Sequence, residues 1–464
     1  MEESKPYFGL KTAAAVAFIF VAVACAPHQP VSATTVSEPI SATIATSTFD
    51  SLWTVVRDTY VDTAFVRTRW VAVRDTLRPR AALVTTRSGL NSLLATTLQR
   101  IPDSHFYVIP GAAEVPDNSA DAGEVGGTTG ISLRSAGSAG VVWRVDPGSP
   151  GALAGIKPGQ IIQKIGERDV TVALQKVGNL PGAARQRALA EVLYGLNHAL
   201  SPGSGSAVRI QLHGGERGRA INRELVAVPA TGTMSQFGNL PPLTGRVVVQ
   251  RIETPAGTGA SCIGVIGFNI WMPALVPELE RAMDRVSDCK GIVVDLRGNP
   301  GGVGGMVMGF GGYFVDSALS LGTMRSRQLA LHFAMNPRRV KTDGSPAAPY
   351  AGLMAILVDP MTASTSEIFA TGMQRIGRAR VFGERSAGEA LPALMDRLPS
   401  GDVFVHAVAD FTDPDGRRIE GAGVVPDEAV PISPKELSEG RDAALEAATR
   451  WIRSTTAAKR IPAS

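Results

Sequence analysis

Three apolar runs in the second half of the chain constrain its fold more than any other feature. They lie at 263–268, 291–296 and 354–358, and an amphipathic helical stretch separates the first two. Strands that are apolar on both faces are typical of buried parallel sheets, and a strand–helix–strand order predicts a right-handed βαβ unit. The sequence therefore predicts an α/β core over 233–435, followed by a C-terminal helix over 436–464.

Two loops follow these strands, at the edge of the sheet where α/β proteins place their active sites. One contains Gly301 and Gly302, whose backbone can approach a ligand and point amide N–H groups at a developing negative charge. The other contains Ser364, directly before a predicted helix whose positive end favours an oxyanion. Each loop has a structural alternative, because glycine pairs are common in such turns and serine is a preferred helix cap.

The first third of the chain is predicted to be helical. Apolar residues recur at three- and four-residue steps through most of it, which predicts a small helical domain over 47–122. The end of this domain contains Ser104 and His105, followed by β-prone residues at 107–109. A single histidine in a loop is more often a surface residue than a catalytic one, so its own position assigns it no role.

Short β-prone runs and glycine turns alternate over 123–232, which predicts a β domain with a helical insertion at 171–200. The order of a strand, Pro-Gly-Ser-Pro, Ala-Gly-Ile, Pro-Gly and a second apolar strand resembles a PDZ domain of the bacterial protease type. Gln160 stands where that family usually has Asp. The alternative is an unspecialised β domain. The resemblance implies that an extended peptide pairs with the loop formed by Gly130, Ile131, Ser132 and Leu133.

The N-terminus is predicted to be an export signal rather than part of the fold. Residues 1–24 contain an apolar run after Lys5 and Lys11 that is too short to cross a bilayer. Cys25 stands where a bacterial lipoprotein is lipidated, and 25–46 has the composition of a tether. Lipidation would anchor the protein to the outer membrane, whereas plain secretion would leave it free in the periplasm or at the cell surface.

Charge and cysteine content argue against other classes of function. The net charge is +4, but Lys and Arg are dispersed, so nucleic acid is not predicted as a partner. No His or Cys spacing resembles a metal site, and no cofactor is predicted. Cys262 and Cys289 each precede an apolar strand. An oxidising compartment would allow them to form a disulfide, and two reduced core thiols are the alternative.

Three ordered motifs carry a family resemblance: IVVDLRGNPGG at 292–302, TASTSEIFA at 362–370 and VFGERSAG at 381–388. Their order resembles peptidase family S41, which contains the C-terminal-processing and tricorn-core serine peptidases, and the resemblance covers most of the chain. It implies a ClpP/crotonase-like ββα catalytic core with Ser364 as the nucleophile. It also implies that Ser366 is structural.

One departure distinguishes between branches of this family. The processing-peptidase branch uses a lysine as general base about 25 residues after the serine, where this chain has Glu389. A carboxylate cannot do the work of a desolvated neutral lysine. The tricorn-like branch uses a Ser-His-Ser-Glu tetrad instead, and the matching residues here are Ser364, His105, Ser104 and Glu420.

The resemblance also implies a role for each of these residues. His105 would take the proton from Ser364 and return it to the leaving amine, while Ser104 and Glu420 would orient the imidazole. Alternatively, Glu420 is a solvated turn residue without a catalytic role, and Ser104 is an ordinary hydrogen-bonding neighbour. His406, in a strand-like run, is predicted to be a sheet residue. The implied oxyanion donors are the backbone N–H groups of Thr365 and of Gly301 or Gly302.

We therefore predict an exported serine endopeptidase that hydrolyses peptides or partly unfolded proteins through an acyl-enzyme. A catalytically inactive binding or scaffold protein of the same fold is the alternative, because a fold does not fix a function. A histidine base predicts that activity rises as a group near neutral pH loses its proton. The sequence specifies no oligomeric state.

Overall fold

The structure combines helices and sheets, as predicted from the sequence. It is a computed structural model that describes residues 20–21, 38–111, 126–214, 219–236, 242–253 and 262–458. The predicted export signal and Cys25 lie outside these residues, apart from the short strand β1 (Phe20–Val21). Among the helices of the described ranges, none is both long and apolar enough to cross a membrane.

The helical front packs its apolar stripe into a core that also contains Leu398 and Phe404 of the C-terminal half. Trp53 and Trp70 each donate the indole N–H to the backbone carbonyl of the other. The first helix begins at Ala42, inside the segment predicted as a tether, and the Ser41 hydroxyl caps it by accepting the Ile44 N–H. The helices are α1 (Ala42–Thr59), α2 (Thr63–Phe65), α3 (Val71–Ala81) and α4 (Arg87–Leu98), with a π-helical turn over Val66–Trp70.

A short strand connects this front to the catalytic half of the molecule. β2 (Tyr107–Ile109) pairs antiparallel with β22 (Val403–Ala407), which also pairs with β21 (Ala393–Arg397). Ser104 and His105 directly precede β2. The pairing therefore holds these two residues against the C-terminal half, although that half lies far from them in the sequence.

The middle domain, residues 127–229, is a twisted sheet of order β4-β5-β6-β8-β9 with β4 at one edge and α7 packed beside it. Its two ends meet because β3 pairs antiparallel with β10. The elements are β3 (Gly127–Thr128), β4 (Ile131–Ala136), β5 (Ala139–Val145), α5 (Pro150–Leu153), β6 (Ile161–Ile165), β7 (Arg168–Asp169), α6 (Val170–Gly178), α7 (Gly182–Ala199), β8 (Ala207–Leu212), β9 (Ile221–Val226) and β10 (Val228–Pro229).

The C-terminal half is built on a six-stranded sheet of order β13-β14-β15-β19-β20-β24. All neighbours are parallel except the edge strand β13, as expected from the apolar runs. The helices α8 and α10 pack into the apolar cluster on one face, and α12 packs on the other. The parallel strands end at the loops that carry Gly301 and Ser364.

The elements of this half are β11 (Thr233–Ser235), β12 (Leu243–Gly245), β13 (Val247–Glu253), β14 (Cys262–Phe268), α8 (Val276–Val286), β15 (Gly291–Asp295), β16 (Gly301–Gly302), α9 (Met306–Gly311), β17 (Leu319–Ser326), β18 (Ala330–Met335), β19 (Leu353–Val358), α10 (Thr365–Arg375), β20 (Arg380–Gly383), β21, β22, β23 (Ala409–Thr412), β24 (Glu428–Ala429), α11 (Pro434–Ser438) and α12 (Ala443–Ala458). Two helices thus lie where one was predicted over 436–464. Gly440, with a φ of +75°, lies between them.

Cys262 and Cys289 form a disulfide, which settles the alternative left open by the sequence. The bond joins the start of β14 to the turn before β15. Together with Asp288, these cysteines are the one group of potential metal ligands within the described residues. The disulfide removes both thiolates from such a role.

Replacing both cysteines with alanine should lower the free energy of unfolding, because the bond closes a loop with a sequence separation of 27 residues. Chain-entropy arguments put the loss at roughly 3–4 kcal/mol. Urea unfolding of the oxidised protein and of the double variant measures the difference. Reducing agent should destabilise the wild type and leave the variant unchanged. Equal unfolding midpoints for both proteins, with and without reducing agent, would contradict the prediction.

Candidate active site

Ser364 occupies the turn between the loop after β19 and the helix α10. Its φ of +56° and ψ of −123° are a strained conformation for a residue other than glycine. The side chain is fully buried, and Oγ has no hydrogen-bond partner among the described residues. The hydroxyl therefore does not cap the helix. Instead, the Glu367 carboxylate accepts the Ser364 N–H at 3.1 Å.

His105 has the same two properties. Its φ is +62°, its side chain is buried, and Nε2 finds no hydrogen-bond partner in the described part of the chain. Ser364 and His105 are the only non-glycine residues with positive φ in the ranges that the structure describes. Backbone strain of this kind clusters at functional sites, and a buried polar atom without a partner requires an explanation.

Ser104 and Glu420 hold the imidazole of His105 in one orientation. The Glu420 carboxylate accepts the Ser104 N–H at 2.8 Å and the Ser104 hydroxyl at 3.0 Å. Since that hydroxyl donates its one proton to Glu420, it must accept a proton from His105 Nδ1, which lies 2.7 Å away. The ring proton is then on Nδ1, and Nε2 has a free lone pair.

Two consecutive residues connect this assembly to Ser364. The Ser364 N–H donates to the Glu389 carbonyl at 2.7 Å, and the Ala390 N–H donates to Glu420 Oε2 at 2.8 Å. Residues from the front of the chain, the serine turn and the late Glu420 segment therefore meet at one short stretch of backbone. Of the four residues predicted as a tetrad, Ser104, His105 and Glu420 are in direct contact. The backbone of Glu389 and Ala390 lies between this group and Ser364, and Ser364 Oγ and His105 Nε2 make no hydrogen bond to each other.

The glycine loop lies directly against the serine. A Cβ added at Gly301 would be 2.7 Å from Ser364 Cβ and 3.0 Å from the Thr365 N, so only glycine fits here. The Gly301 N–H donates to Asn299 Oδ1 at 3.0 Å, which engages one of the predicted oxyanion donors. Thr365 is the first residue of α10, so its N–H has no intrahelical acceptor. Its hydroxyl donates to the Gly302 carbonyl at 2.9 Å.

Two neighbouring side chains have structural contacts. The Ser366 hydroxyl accepts the Trp271 indole N–H at 2.8 Å. His406 lies in β22, with Nε2 3.0 Å from Asp396 Oδ2 and Nδ1 3.2 Å from Thr59 Oγ1. Because both of its ring nitrogens are engaged, His406 is not available as an alternative base.

Burial sets the electrostatics of the assembly. It lowers the pKa of His105 to about 3, with a smaller contribution from the positive charge of Arg187. Burial raises the pKa of Glu420, and Arg187 opposes that shift. His105 is therefore neutral from well below pH 5 upward. This corrects the expectation of a titration near neutral pH, which assumed a solvated loop histidine.

Glu389, at the position where the processing branch is expected to have a lysine, is a largely buried acid. Burial and the nearby Glu191 raise the pKa of its carboxyl well above its usual range. Its Oε1 lies 3.8 Å from Arg187 Nε. Glu367 also has a pKa raised by burial, to about 7, and it accepts the backbone N–H groups of Gly388 and Glu389 at 2.7 and 2.8 Å. These carboxyl groups shape the loop.

Sequence reasoning missed the residues that tie the middle domain to this site. Arg134 of β4 forms a buried ion pair with Asp359, which also accepts the Gly298 N–H at 2.9 Å. Arg187 of α7 contacts Glu420 at 2.9 Å. Asp359 directly follows a buried strand, which is a usable signal. Nothing in the sequence distinguishes Arg187 from its neighbours.

The predicted peptide-binding loop of the middle domain is partly engaged within the chain. Ile131 and Leu133 are buried, Ser132 is half-buried, and Gly130 has a φ of +74° where a Cβ would collide with Ser149. Asn197 of α7 accepts the Leu133 N–H at 2.8 Å and donates to its carbonyl at 3.0 Å. A peptide pairing with Leu133 would have to displace Asn197.

Two family models match the chain: Peptidase family S41 over residues 263–430, and the Tricorn protease C1 domain over residues 45–99. Over these residues the chain is similar to peptidase family S41. It is a serine peptidase, and its relatives are named as carboxyl-terminal-processing peptidases and CtpA-like serine proteases.

Named relatives and solved structures are also similar to this chain. The chloroplastic carboxyl-terminal-processing peptidase 2 of Arabidopsis thaliana is 25% identical over 84% of this chain and 69% of its own length. The carboxyl-terminal-processing protease of Picosynechococcus sp. is 26% identical over 37% of this chain and 40% of its own length. Two structures share the fold of this peptidase. The photosystem II D1 C-terminal processing protease has a TM-score of 0.54 at 20% identity, covering 88% of this chain and 96% of its own. Mature CPAF has a TM-score of 0.58 at 11% identity, covering 89% and 98%.

Replacing Gly301 with alanine should lower kcat/KM about 100-fold or more, because the new methyl group pushes Ser364 and the Thr365 N–H out of line. Gly309→Ala is the matched control, since nothing lies within 4 Å of its added Cβ. Peptide hydrolysis by both variants measures the effect. Similar activities would show that the glycine loop does not shape the site.

The lowered pKa of His105 predicts how stability depends on pH. The unfolded chain binds a proton at this histidine below about pH 6.5 and the folded chain does not, so folding is penalised as pH falls, by about 2 kcal/mol at pH 5. His105→Gln should remove this penalty, so its stability relative to wild type should improve between pH 7.5 and pH 5. Thermal melts at both pH values measure it, with Ser364→Ala as the variant that keeps the histidine. Parallel pH dependence in all three proteins would contradict the prediction.

Proposed function

We propose that this serine peptidase is an exported endopeptidase that cleaves peptides or partly unfolded proteins through an acyl-enzyme on Ser364. One observation carries the proposal. Ser364 and His105 are the two residues of the described chain that combine a strained backbone with a buried polar side-chain atom lacking a partner. We propose that both atoms are kept unpaired for the reaction, Ser364 Oγ to bond to the substrate carbonyl and His105 Nε2 to take the hydroxyl proton.

The proposed mechanism follows from the proton positions. Ser364 Oγ attacks the peptide carbonyl and forms an O–C bond while His105 Nε2 takes the hydroxyl proton. The C–N bond then breaks, and the same proton passes to the leaving amine. A water molecule then attacks the ester while His105 Nε2 takes its proton. The bond between the acyl carbon and Ser364 Oγ breaks, that oxygen receives the proton back from Nε2, and the acid is released. Throughout, Glu420 and Ser104 stabilise the transient imidazolium through Nδ1.

The proposed oxyanion donors are the Thr365 N–H and an amide of the glycine loop. The helix α10 begins at Thr365, so its positive end faces the developing charge. The engagement of the Gly301 N–H by Asn299 favours Gly302 as the second donor. Such donors are typically worth about 3–4 kcal/mol each in the transition state.

An extended substrate is supported by the pairing at the glycine loop. The short strand β1 lies antiparallel to β16, with residue 20 opposite Gly302 and residue 21 opposite Gly301. This backbone edge can therefore hold an extended peptide by strand addition, beside Ser364. We propose that substrate occupies the same edge after the export signal is removed. The names of the processing relatives make a C-terminal segment the first substrate to test.

Two further parts of the proposal concern the middle domain and the compartment. The edge strand β4 beside α7 supports a PDZ-like domain, and Arg134 and Asp359 join it to the serine loop. The Cys262–Cys289 disulfide supports an oxidising compartment, such as the periplasm or the cell surface. A lipid anchor on Cys25 stays a prediction from the sequence.

Ser364→Ala should abolish hydrolysis of unfolded casein and labelling by a fluorophosphonate probe, because the reacting oxygen is gone. Ser366→Ala should keep the labelling, since that hydroxyl only accepts a hydrogen bond from Trp271. Gel fluorescence and fluorogenic casein measure both variants. Labelling that survives in Ser364→Ala would remove the assignment. Binding of a labelled C-terminal peptide without any cleavage by wild type would favour the inactive binding protein.

A further inference from the structure

The helix α7 reaches from the middle domain across the proposed catalytic residues. Gln186 Nε2 donates to the Arg385 carbonyl at 2.7 Å, and the hydroxyl of Tyr194 donates to the Met361 carbonyl. Arg187 lies between these two residues in the sequence, and its side chain points toward the loop of Ser104 and toward Glu420. One helix of the middle domain thus contacts the loops on both sides of Ser364.

Arg187 makes three contacts that converge on the tetrad. Its Nη2 donates to Glu420 Oε1 at 2.9 Å, and its Nη1 donates to the Pro102 carbonyl at 2.9 Å, two residues before Ser104. Its Nε lies 3.8 Å from Glu389 Oε1. The guanidinium therefore holds the carboxylate and the backbone of the Ser104 loop in one fixed relation.

Glu420 needs a cation because of its surroundings. Its side chain is 1% exposed, and within the described chain Arg187 is the one basic residue in an ion pair with it. Other acids face the same region: Glu191 from α7, Glu389 from the loop after β20, Glu367 from α10, and Asp103 beside Ser104. Asp103 is itself paired with Arg418. Without Arg187, an ionised Glu420 would be buried among acids.

The ionisation of Glu420 determines which nitrogen of His105 carries the proton. An ionised Glu420 accepts a hydrogen bond from the Ser104 hydroxyl, so that hydroxyl accepts one from His105 Nδ1–H, and Nε2 is free to act as the base. A protonated Glu420 no longer requires the hydrogen bond from the Ser104 hydroxyl. The Ser104 hydroxyl could then donate to Nδ1, and the ring proton would sit on Nε2, where it blocks attack by Ser364.

We propose that Arg187 is a positioning residue that makes the middle domain part of the catalytic apparatus, by holding Glu420 ionised and thereby fixing the reactive tautomer of His105. The proposal rests on the proposed function of Ser364, His105, Ser104 and Glu420. It assigns α7 a role in catalysis that neither the family motifs nor the family matches cover, since those matches lie at 45–99 and 263–430.

The deciding experiment is the pH profile of kcat and kcat/KM for Arg187→Gln between pH 4 and 9. Loss of the guanidinium makes both Glu420 and His105 easier to protonate, since Arg187 lowers the pKa of each. Both changes move the acid limb of the profile to higher pH. We expect kcat at neutral pH to fall at least about tenfold, because a wrong tautomer costs up to about 10⁴. KM should change little, because Arg187 is not proposed to contact substrate.

Arg185→Gln is the matched control. Arg185 lies two residues earlier on the same helix and is exposed, so this variant should keep the profile of the wild type. Arg187→Lys keeps the charge and should retain the acid limb of the wild type with a smaller loss of kcat. If Arg187→Gln fails to fold, the lysine variant and Glu420→Gln carry the test. The loss of kcat in Glu420→Gln should equal the loss in the double variant that carries both Glu420→Gln and Arg187→Lys.

A purely structural role gives a different result. It would lower the melting temperature and scale activity equally at every pH, and an unshifted acid limb in a folded Arg187→Gln would overturn the proposal. The proposal would also be overturned if the losses of kcat caused by Glu420→Gln and by Arg187→Lys added up in the double variant. Ser364→Ala in the same assay separates the two levels of inference. If that variant retains activity, the proposed function fails, whereas an inactive Ser364→Ala beside an unshifted Arg187→Gln rejects the positioning role alone.

Discussion

The proposed catalytic arrangement depends on one buried carboxylate. Glu420 accepts four hydrogen bonds, two from Ser104 and one each from Ala390 and Arg187. Each donor comes from a different part of the chain: the end of the helical front, the loop behind the serine and the helix of the middle domain. A carboxylate is needed because it can accept from several donors at once, and burial makes each of these charge-assisted bonds stronger than it would be in water. The orientation of His105 follows from this hub.

Within the described chain, a positive φ in a non-glycine residue and a buried side-chain atom without a partner coincide only at the two residues proposed to react. The turn at Ser364 is held by the Glu389 carbonyl, by Glu367 and by the close approach of Gly301, while the segment of His105 is held by β2. The surroundings thus impose conformations that neither residue would adopt alone. The energetic cost is met by well-satisfied neighbours, such as the several hydrogen bonds on Glu367.

The fold was largely predictable because its signals are local. Apolar runs define the parallel strands, glycine and serine loops follow them, and ordered motifs indicate the family to which the comparisons find similarity. The electrostatics of the site were not predictable, because burial of a loop histidine depends on packing between distant segments. Arg185 and Arg187 are equivalent in sequence, and only the direction of α7 separates an exposed arginine from one that meets Glu420. The start of α1 was missed because its Ser41 cap lies in a stretch with the composition of a tether.

The pairing of β3 with β10 bears on how such a chain can assemble. Residues 127–229 separate the histidine segment from the serine half, and closing so long a span from an unfolded chain carries an entropic penalty that grows with its logarithm. Once the middle domain has folded, its two ends emerge side by side, and the remaining search is short. The folded middle domain then holds the chain segments before and after it close together. A long-range encounter between the two halves becomes a nearly local one.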